Sequence, residues 1–181
     1  MKWKVLESKY LHKQDWLTIR KDKCELPNGK IVPAFYVNEY PDWVNAVAIT
    51  EHGKVVMVQQ YRHGIGEVSI ELPGGVVENG ETWYDAMKRE MLEETGYSFA
   101  ELDYLGKVCA NPSTTNNYTH LFLATGGTKI AQQKLDDLED LEVLEITIEE
   151  LKDLVKQNRI VQSLHVNCIF YALDKLGELS Y

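Results

Sequence analysis

Three glutamates, Glu90, Glu93 and Glu94, are spaced so that their carboxylates could act together. On a helix with about 100° between successive residues, Glu90 and Glu94 lie within about 40° of each other, and Glu93 lies about 60° from Glu90. Like charges at this spacing destabilise a helix, and a bound cation would relieve their repulsion. Carboxylate oxygens are the ligands that Mg²⁺ prefers. The spacing therefore indicates a divalent-cation site, although a glutamate-rich helix end is usually only a solvated surface.

The residues around these glutamates are typical of a loop followed by a helix. Thr82 is expected to cap the start of the helix, and Gly96 is expected to end it. The loop before the helix contains glycines that let a backbone turn tightly or approach a ligand closely: Gly74, Gly75 and Gly80. The helix positions that share the sector of the glutamates, one or two turns earlier, are typical of a core: Trp83, Ala86 and Met87. Because a core face continues into charged positions, we interpret the charges as functional.

The segment from Gly75 to Tyr97 follows one fixed pattern. Its fixed residues are Gly75, then after five residues Glu81, after seven Arg89-Glu90, after two Glu93-Glu94, and after one Gly96. Seven fixed identities arise by chance at roughly one starting position in 10⁸. The pattern matches, without a departure, the signature of the Nudix hydrolases, and the chain therefore resembles that family.

Three further motifs, one of which overlaps the start of the signature, resemble the ADP-ribose pyrophosphatase branch of the family. They are Gln60-Tyr61-Arg62, Glu71-Leu72-Pro73-Gly74-Gly75, and Pro112, which lies sixteen residues after Gly96. Gly74 replaces the alanine of the branch, a change that a position serving through its backbone carbonyl should tolerate. Residues 113–117 lack the acidic residue that often follows the proline in this branch. The resemblance therefore does not carry over the substrate contacts of that loop.

The resemblance implies a role for each of these residues. Glu90 and Glu94 would ligate the metal directly, with Glu93 and the Gly74 carbonyl completing the set. Arg89 would orient the carboxylates, and Glu81 would support them. The residues expected to bind substrate are Arg62, Glu71, Gly75 and Pro112. Taken by themselves, Arg62 and Glu71 could equally be surface charges, although an arginine at a strand end before a glycine-rich loop suits a phosphate.

The expected reaction is hydrolysis of ADP-ribose, or of a related nucleoside diphosphate sugar, to AMP and ribose 5-phosphate. A diphosphate repels a nucleophile, so metal ions must neutralise it and lower the pKa of the attacking water. Mg²⁺ is the expected cofactor, with Mn²⁺ as the alternative. The water also needs a proton acceptor, and residues 135–143 resemble the acidic loop that supplies a catalytic glutamate in this branch. Glu139 matches that glutamate best, Glu142 is the alternative, and Arg89 and Glu93 complete the expected catalytic group.

Two other functions stay open. The residues of the Nudix signature recognise only the diphosphate, so GDP-mannose or another nucleotide sugar could be the substrate. The chain could also bind ADP-ribose without cleaving it. The complete set of Arg89, Glu90, Glu93 and Glu94 argues against a sensor, because a sensor can lose these residues freely.

The expected fold class is α/β: a Nudix α/β/α sandwich with a mixed sheet, preceded by a small N-terminal antiparallel β unit. We assign residues 1–40 to that unit and residues 41–181 to the Nudix domain. Strands are predicted at residues 15–20 and 31–37, around a turn at residues 27–29. So small a unit buries little surface alone and must pack on the rest of the chain or on another copy. With the resemblance, this under-burial predicts a homodimer whose interface includes residues 1–40.

The remaining segments also have recognisable patterns. Strands are predicted at residues 46–50, 54–60, 118–124 and 142–146, with a turn at residues 51–53. Thr147 and Glu150 form a capping box for a helix at residues 148–157. A last helix is predicted at residues 161–176, where His165 is interpreted as a structural residue rather than a ligand.

The composition is that of an ordinary globular protein, with 181 residues, 44% hydrophobic and 26% charged. The net charge of −9 argues against nucleic acid as a partner. No segment is typical of a signal peptide or a membrane span, so we expect a cytoplasmic protein without a membrane partner. Cys24, Cys109 and Cys168 are odd in number and are interpreted as small buried residues in a reducing compartment. The partner expected from the motifs is a small nucleoside diphosphate.

Overall fold

The structure is a computed structural model and describes residues 1–135 and 140–179. These residues form two compact units: Met1–Pro41 with Cys109–Tyr118, and Asp42–Val108 with the chain from Thr119 onwards. The loop at residues 109–118 joins the first unit through hydrogen bonds such as Asn38 N–H to the Thr114 carbonyl, at 2.7 Å. The division into domains at residues 1–40 and 41–181 stays a prediction, since this loop groups with the N-terminal strands.

The first unit contains a three-stranded antiparallel sheet in the order β1-β2-β3, as the fold class predicted. Its strands are β1 (Lys4–Gln14), β2 (Leu17–Glu25) and β3 (Ile31–Glu39). The sequence did not predict β1, because register shifts between Val5 and Glu7 and between Tyr10 and His12 interrupt its alternation. The predicted strand at residues 15–20 begins only at Leu17, because residues 15–16 form the turn that joins β1 to β2.

The second unit is built on an eight-stranded mixed sheet. Its strands are β4 (Trp43–Thr50), β5 (Val55–Arg62), β6 (Glu67–Glu71), β7 (Gly74–Val76), β8 (Tyr97–Ser98), β9 (Glu101–Val108), β10 (Thr119–Lys129) and β11 (Leu141–Ile146). The central order is β11-β5-β4-β10-β8, with β6 paired to β5, β7 to β4 and β9 to β10. The β4–β10 pair is parallel, and the other pairs are antiparallel.

Helices cover both faces of this sheet. They are α1 (Trp83–Thr95), α2 (Ile148–Lys156) and α3 (Ser163–Lys175). Side chains alternate along β4, so that Ala46 and Ala48 join the apolar cluster under α1, while Val47 and Ile49 join the cluster under α2 and α3. The predicted α/β/α arrangement is therefore confirmed. Within the described residues, none of the helices has the length and apolarity needed to cross a membrane.

The local predictions for this unit are confirmed, with shifted ends. The predicted turn at residues 51–53 is closed by a hydrogen bond from Gly53 N–H to the Thr50 carbonyl, at 3.0 Å. Thr147 and Glu150 form the predicted capping box of α2. The last helix begins at Ser163 rather than at residue 161, because Gln162 has extended backbone angles and is the residue that precedes the first turn.

Candidate active site

The helix α1 begins and ends where the sequence predicts. The Thr82 hydroxyl accepts a hydrogen bond from Asp85 N–H at 3.2 Å, which satisfies one of the free amides of the first turn. At the other end, Gly96 adopts a left-handed conformation with φ 75°, and its N–H donates to the Leu92 carbonyl at 2.9 Å. The cap and the stop together fix which residues occupy the last turn.

One row of α1 carries two glutamates into the protein interior. Ala86, Glu90 and Glu94 follow one another at intervals of four residues, and all three are buried. Glu90 is 9% exposed and Glu94 is 4% exposed. Trp83, which the sequence placed in the same sector, is 41% exposed instead. Because burying a charge is costly unless it is paired, the two glutamates require nearby partners.

Both buried carboxylates lie against the backbone of Gly74 and Gly75. Gly74 N–H donates to Glu94 Oε2 at 2.8 Å. A Cβ atom at Gly75 would collide with the Glu90 carboxylate, and a Cβ atom at Gly74 would collide with β4. The two glycines are therefore needed for the close approach of strand β7 to the helix.

The Arg89 guanidinium ties the glutamates to the loop before α1. It binds both oxygens of Glu81 at 3.0 and 3.1 Å, and it donates to the Val76 carbonyl at 2.9 Å. It also donates to Glu90 at 2.9 Å and to Glu93 at 3.1 Å. The hydrogen bonds from Arg89 lower the pKa of the Glu81 carboxyl. The Glu81 carboxylate in turn raises the pKa of Arg89, and partial burial opposes this rise without cancelling it.

The donors at this site fit a hard divalent cation. Within residues 1–135 and 140–179, no three Asp, Glu, His or Cys side chains are arranged to hold a metal ion as they stand. Arg89 holds Glu90 and Glu93, and Gly74 N–H holds Glu94. The available donors are nevertheless all oxygen, and two of the carboxylates are buried against a backbone from which a Cβ atom is excluded. A donor set made only of oxygen atoms suits a hard divalent cation such as Mg²⁺.

Arg62 and Glu71 form a two-pronged ion pair beside the turn that leads to Gly74. Arg62 Nε and Nη2 donate to the two carboxylate oxygens of Glu71 at 2.9 and 2.6 Å. Glu71 is buried, whereas the Arg62 side chain is half-exposed. Burial alone would raise the pKa of Glu71, but the hydrogen bonds and charge of Arg62, together with His165 and Ser69, outweigh burial and lower it. The substrate-binding roles of both residues stay predictions.

The remaining predicted site residues lie elsewhere. Pro112 belongs to the first unit, in the predicted turn, where the amides of Thr114 and Thr115 both donate to the Asn111 carbonyl. Glu139 lies outside the described residues. Glu142 is an exposed residue of strand β11, opposite Gln59, rather than part of a loop. The roles proposed for Pro112, Glu139 and Glu142 therefore stay predictions.

A group centred on His120 was not predicted from the sequence. The buried His120 ring lies 3.1 Å from Asp42 Oδ2 and 3.1 Å from the Tyr104 hydroxyl, and it stacks on Trp83 with ring centroids 3.9 Å apart. The Asp42 carbonyl accepts a hydrogen bond from Val77 N–H at 2.9 Å. The group thus contacts both ends of the loop before α1. It carries no sequence signal, because its members are far apart in the chain.

Comparison with known proteins agrees with this geometry. Residues 39–164 match the NUDIX domain, and residues 3–38 match the nucleoside diphosphate sugar hydrolase N-terminal domain. The chain is 31% identical to a methanol dehydrogenase activator of Bacillus methanolicus, over 93% of this chain and 91% of that protein. It is 32% identical to an ADP-ribose pyrophosphatase of Bacillus subtilis, over 83% of this chain and 81% of that protein.

A solved structure extends the likeness to the fold of nearly the whole chain. The crystal structure of an ADP compounds hydrolase superposes with a TM-score of 0.85, at 20% identity, and covers 99% of this chain and 98% of the other. The matched domain includes every residue of the signature, from Gly75 to Gly96, that the structure gathers around Arg89. This chain therefore belongs to the Nudix hydrolase family, and its NUDIX domain follows an N-terminal domain of the nucleoside diphosphate sugar hydrolases.

Proposed function

We propose that this protein hydrolyses the diphosphate bond of ADP-ribose in a Mg²⁺-dependent reaction and releases AMP and ribose 5-phosphate. The buried pair Glu90 and Glu94, held against the backbone of Gly74 and Gly75, is the observation that supports this activity most directly. Nudix relatives named ADP-ribose pyrophosphatase support the choice of substrate, at 32% identity in Bacillus subtilis and 28% in Mycobacterium tuberculosis.

The metal-binding residues in this proposal are Gly74, through its carbonyl, and Glu90, Glu93 and Glu94. A divalent cation held there would neutralise the diphosphate oxygens and make the attacking water more acidic. Arg89 orients the carboxylates of Glu90 and Glu93 through hydrogen bonds while it also donates to Glu81. Because Arg89 and Glu81 bond to each other through two hydrogen bonds, the loop and the last turns of the helix act as one rigid support.

The substrate-binding residues in this proposal are Arg62, Glu71, Gly75 and Pro112. Arg62 has a half-exposed guanidinium that Glu71 holds in place from the protein interior. An arginine fixed in this way loses little entropy when it binds a phosphate oxygen. Gly75 would let the diphosphate approach the backbone. Pro112 keeps the substrate-binding role that the resemblance to the ADP-ribose pyrophosphatase branch implies.

A second candidate is hydrolysis of a different nucleoside diphosphate sugar. The match of residues 3–38 names nucleoside diphosphate sugar hydrolases in general, and a mouse relative named ADP-sugar pyrophosphatase is 31% identical over 67% of this chain. Both observations allow a sugar other than ribose, or a base other than adenine as in GDP-mannose. A non-hydrolysing sensor of ADP-ribose is disfavoured by the complete Arg89 network.

The protein is also proposed to act in the cytoplasm as a homodimer, without nucleic acid or membrane partners. Cys24 and Cys168 are buried as expected, whereas Cys109 is only partly buried, and three free thiols suit a reducing compartment. Strand β1 is exposed along all eleven residues, which leaves apolar side chains for a second copy to cover.

A panel of nucleoside diphosphate compounds, scored by product identity in Mg²⁺, tests the proposed substrate. ADP-ribose should give AMP and ribose 5-phosphate, with kcat/KM at least about tenfold above that for GDP-mannose, because a site with hydrogen bonds for one base rejects another. Preference for GDP-mannose would favour the second candidate. Tight ADP-ribose binding without any product would favour the sensor.

Glu139 is the proposed general base, and Glu142 is the alternative. The Glu139→Gln variant should lower kcat by about 10²–10⁴ with KM little changed, since a general base acts in the chemical step. The Glu142→Gln variant is the matched comparison, because it removes one nearby exposed carboxylate from β11. Normal kcat in the first variant with a collapse in the second would assign the role to Glu142. Normal kcat in both would remove this segment from the chemistry.

A further inference from the structure

The turn that carries Gly74 begins with a buried amide that has left the sheet. Strand β6 ends at Glu71, so Leu72 N–H has no partner in the β5–β6 ladder. Leu72 is only 1% exposed, which also denies this amide a water molecule as acceptor. A buried N–H without an acceptor is strongly unfavourable. The acceptor is Nδ1 of His165, at 3.1 Å.

His165 is held in a position where it can only accept this bond. It lies in the first turn of α3 and is buried. Burial lowers the pKa of His165 from 6.5 to about 4, with the Glu71 carboxylate opposing this shift and the Arg62 charge adding to it, so the ring stays neutral near pH 7. A neutral ring that accepts at Nδ1 carries its proton on Nε2. One turn later, Cys168 packs against β10, with Sγ 3.5 Å from the Phe122 carbonyl, which fixes the helix relative to the sheet.

The turn after Leu72 is fixed from two other directions. The Pro73 carbonyl accepts a hydrogen bond from Ala46 N–H of β4 at 3.2 Å. Gly74 N–H donates to Glu94 of α1 at 2.8 Å. Helix α3 on one face of the sheet, strand β4 within the sheet and helix α1 on the other face therefore hold three consecutive residues. A shift of Leu72 would be passed directly to Gly74, whose backbone lies against the carboxylates.

We propose that His165 is a positioning residue of the metal site: by accepting the Leu72 amide, its ring fixes the turn that places the Gly74 backbone against Glu94. The role rests on the proposed function only for the identity of the site, since the hydrogen bond itself belongs to the fold. It goes beyond a structural role because the expected damage lies in metal binding and turnover rather than in stability alone.

Two substitutions separate these roles. His165→Asn leaves a smaller side chain but keeps an acceptor oxygen in the place of Nδ1, whereas His165→Leu keeps the volume and removes the acceptor. His165→Leu leaves the buried Leu72 amide without an acceptor, which lowers stability, while its retained volume and better helix propensity offset part of that loss. Positioning should be kept in His165→Asn and lost in His165→Leu. Leu173→Ala on the same helix is the control, because it opens a cavity in the same apolar cluster but leaves the His165 acceptor of the Leu72 amide in place.

The measurements are Mn²⁺ binding by electron paramagnetic resonance, ADP-ribose hydrolysis in Mg²⁺, and the melting temperature. His165→Leu should weaken Mn²⁺ binding about fivefold or more and lower kcat about tenfold or more with KM nearly unchanged, since small displacements at a reacting centre are costly. His165→Asn should stay within about threefold of the wild type in both quantities. Leu173→Ala should have a lower melting temperature than the wild type and the same affinity for Mn²⁺.

The proposal is overturned if both His165 variants lose activity only in proportion to their melting temperatures, as Leu173→Ala does. It is also overturned if His165→Leu binds Mn²⁺ like the wild type, or if the wild type binds no Mn²⁺ at all. A wild type that binds Mn²⁺ but leaves ADP-ribose intact would refute the proposed substrate instead. In that case the order of Mn²⁺ affinities among the variants would still decide the role of His165.

Discussion

The end of α1 and the N-terminal strand β1 differ in the kinds of side chain that they bury and expose. At the end of α1, charged side chains are buried: Glu90 and Glu94 lie inside the second unit, with partners supplied by Arg89 and Gly74. Along β1, apolar side chains are exposed within the first unit. Those exposed by more than two-fifths of their surface include Val5, Leu6, Tyr10 and Leu11.

The buried carboxylates of α1 have their partners within the second unit, whereas the apolar side chains of β1 are not covered within the first unit. Buried carboxylates survive only where partners within the fold offset their desolvation, so the α1 site is expected to depend on single residues. An exposed apolar strand is stabilised when another surface covers it, so β1 is expected to depend on a second copy of the chain. Substitutions in the two regions should therefore differ in size and in what they change.

The largest effect is expected from the buried carboxylates. Removing divalent metal should abolish turnover, and Glu94→Gln should lower kcat by roughly 10³-fold, because an amide is a much weaker ligand for a hard cation. The fold should persist, since the amide oxygen can still accept from Gly74 N–H. Steady-state kinetics and circular dichroism check both points. Glu101→Gln, at an exposed position of β9, is the matched control and should behave as the wild type. Near-normal turnover in Glu94→Gln would refute the metal assignment.

A smaller effect is expected when the charge is kept and the geometry is lost. Arg89→Lys retains a cation but cannot bind Glu81 through two hydrogen bonds while also reaching Glu90, Glu93 and the Val76 carbonyl. We expect kcat to fall about 10- to 100-fold. Arg159→Lys makes the same exchange at an exposed position and should change neither kcat nor the melting temperature. Equal kcat in Arg89→Lys and the wild type would show that charge alone suffices.

The smallest effect on the chemistry is expected from β1. Leu11→Lys places a charge on the exposed apolar strand and should convert the proposed dimer to a monomer, because a buried unpaired charge would disfavour its interface. In the assay kcat should change by less than about threefold, since no residue of the α1 site is altered. Light scattering measures the oligomeric state. Val161→Lys, at an exposed apolar residue of the second unit, should leave the dimer intact. A wild type that is already monomeric at assay concentration would contradict the prediction.

The region that the sequence predicted best is also the one in which local rules dominate. Thr82, Gly96 and the intervals between Glu81, Arg89 and Glu90 act over at most two or three helical turns, so residue order largely determines their geometry. Strand β1 was missed for the converse reason. Its irregular register breaks the alternation by which a strand is recognised, and the turn at residues 15–16 has no glycine or proline to mark it.

By itself, the sequence determined the family, the limits of helix α1 and the residues whose carboxylates converge on one side of it. Only the tertiary structure decided what those carboxylates touch. Glu94 bonds to Gly74, Leu72 to His165 and His120 to Asp42, and the two residues of each of these pairs lie at least 20 positions apart in the chain. Contacts over such separations depend on which strands pair and on which face of the sheet each helix packs. Helical periodicity and capping extend over only a few residues, so no local pattern could have specified these pairs.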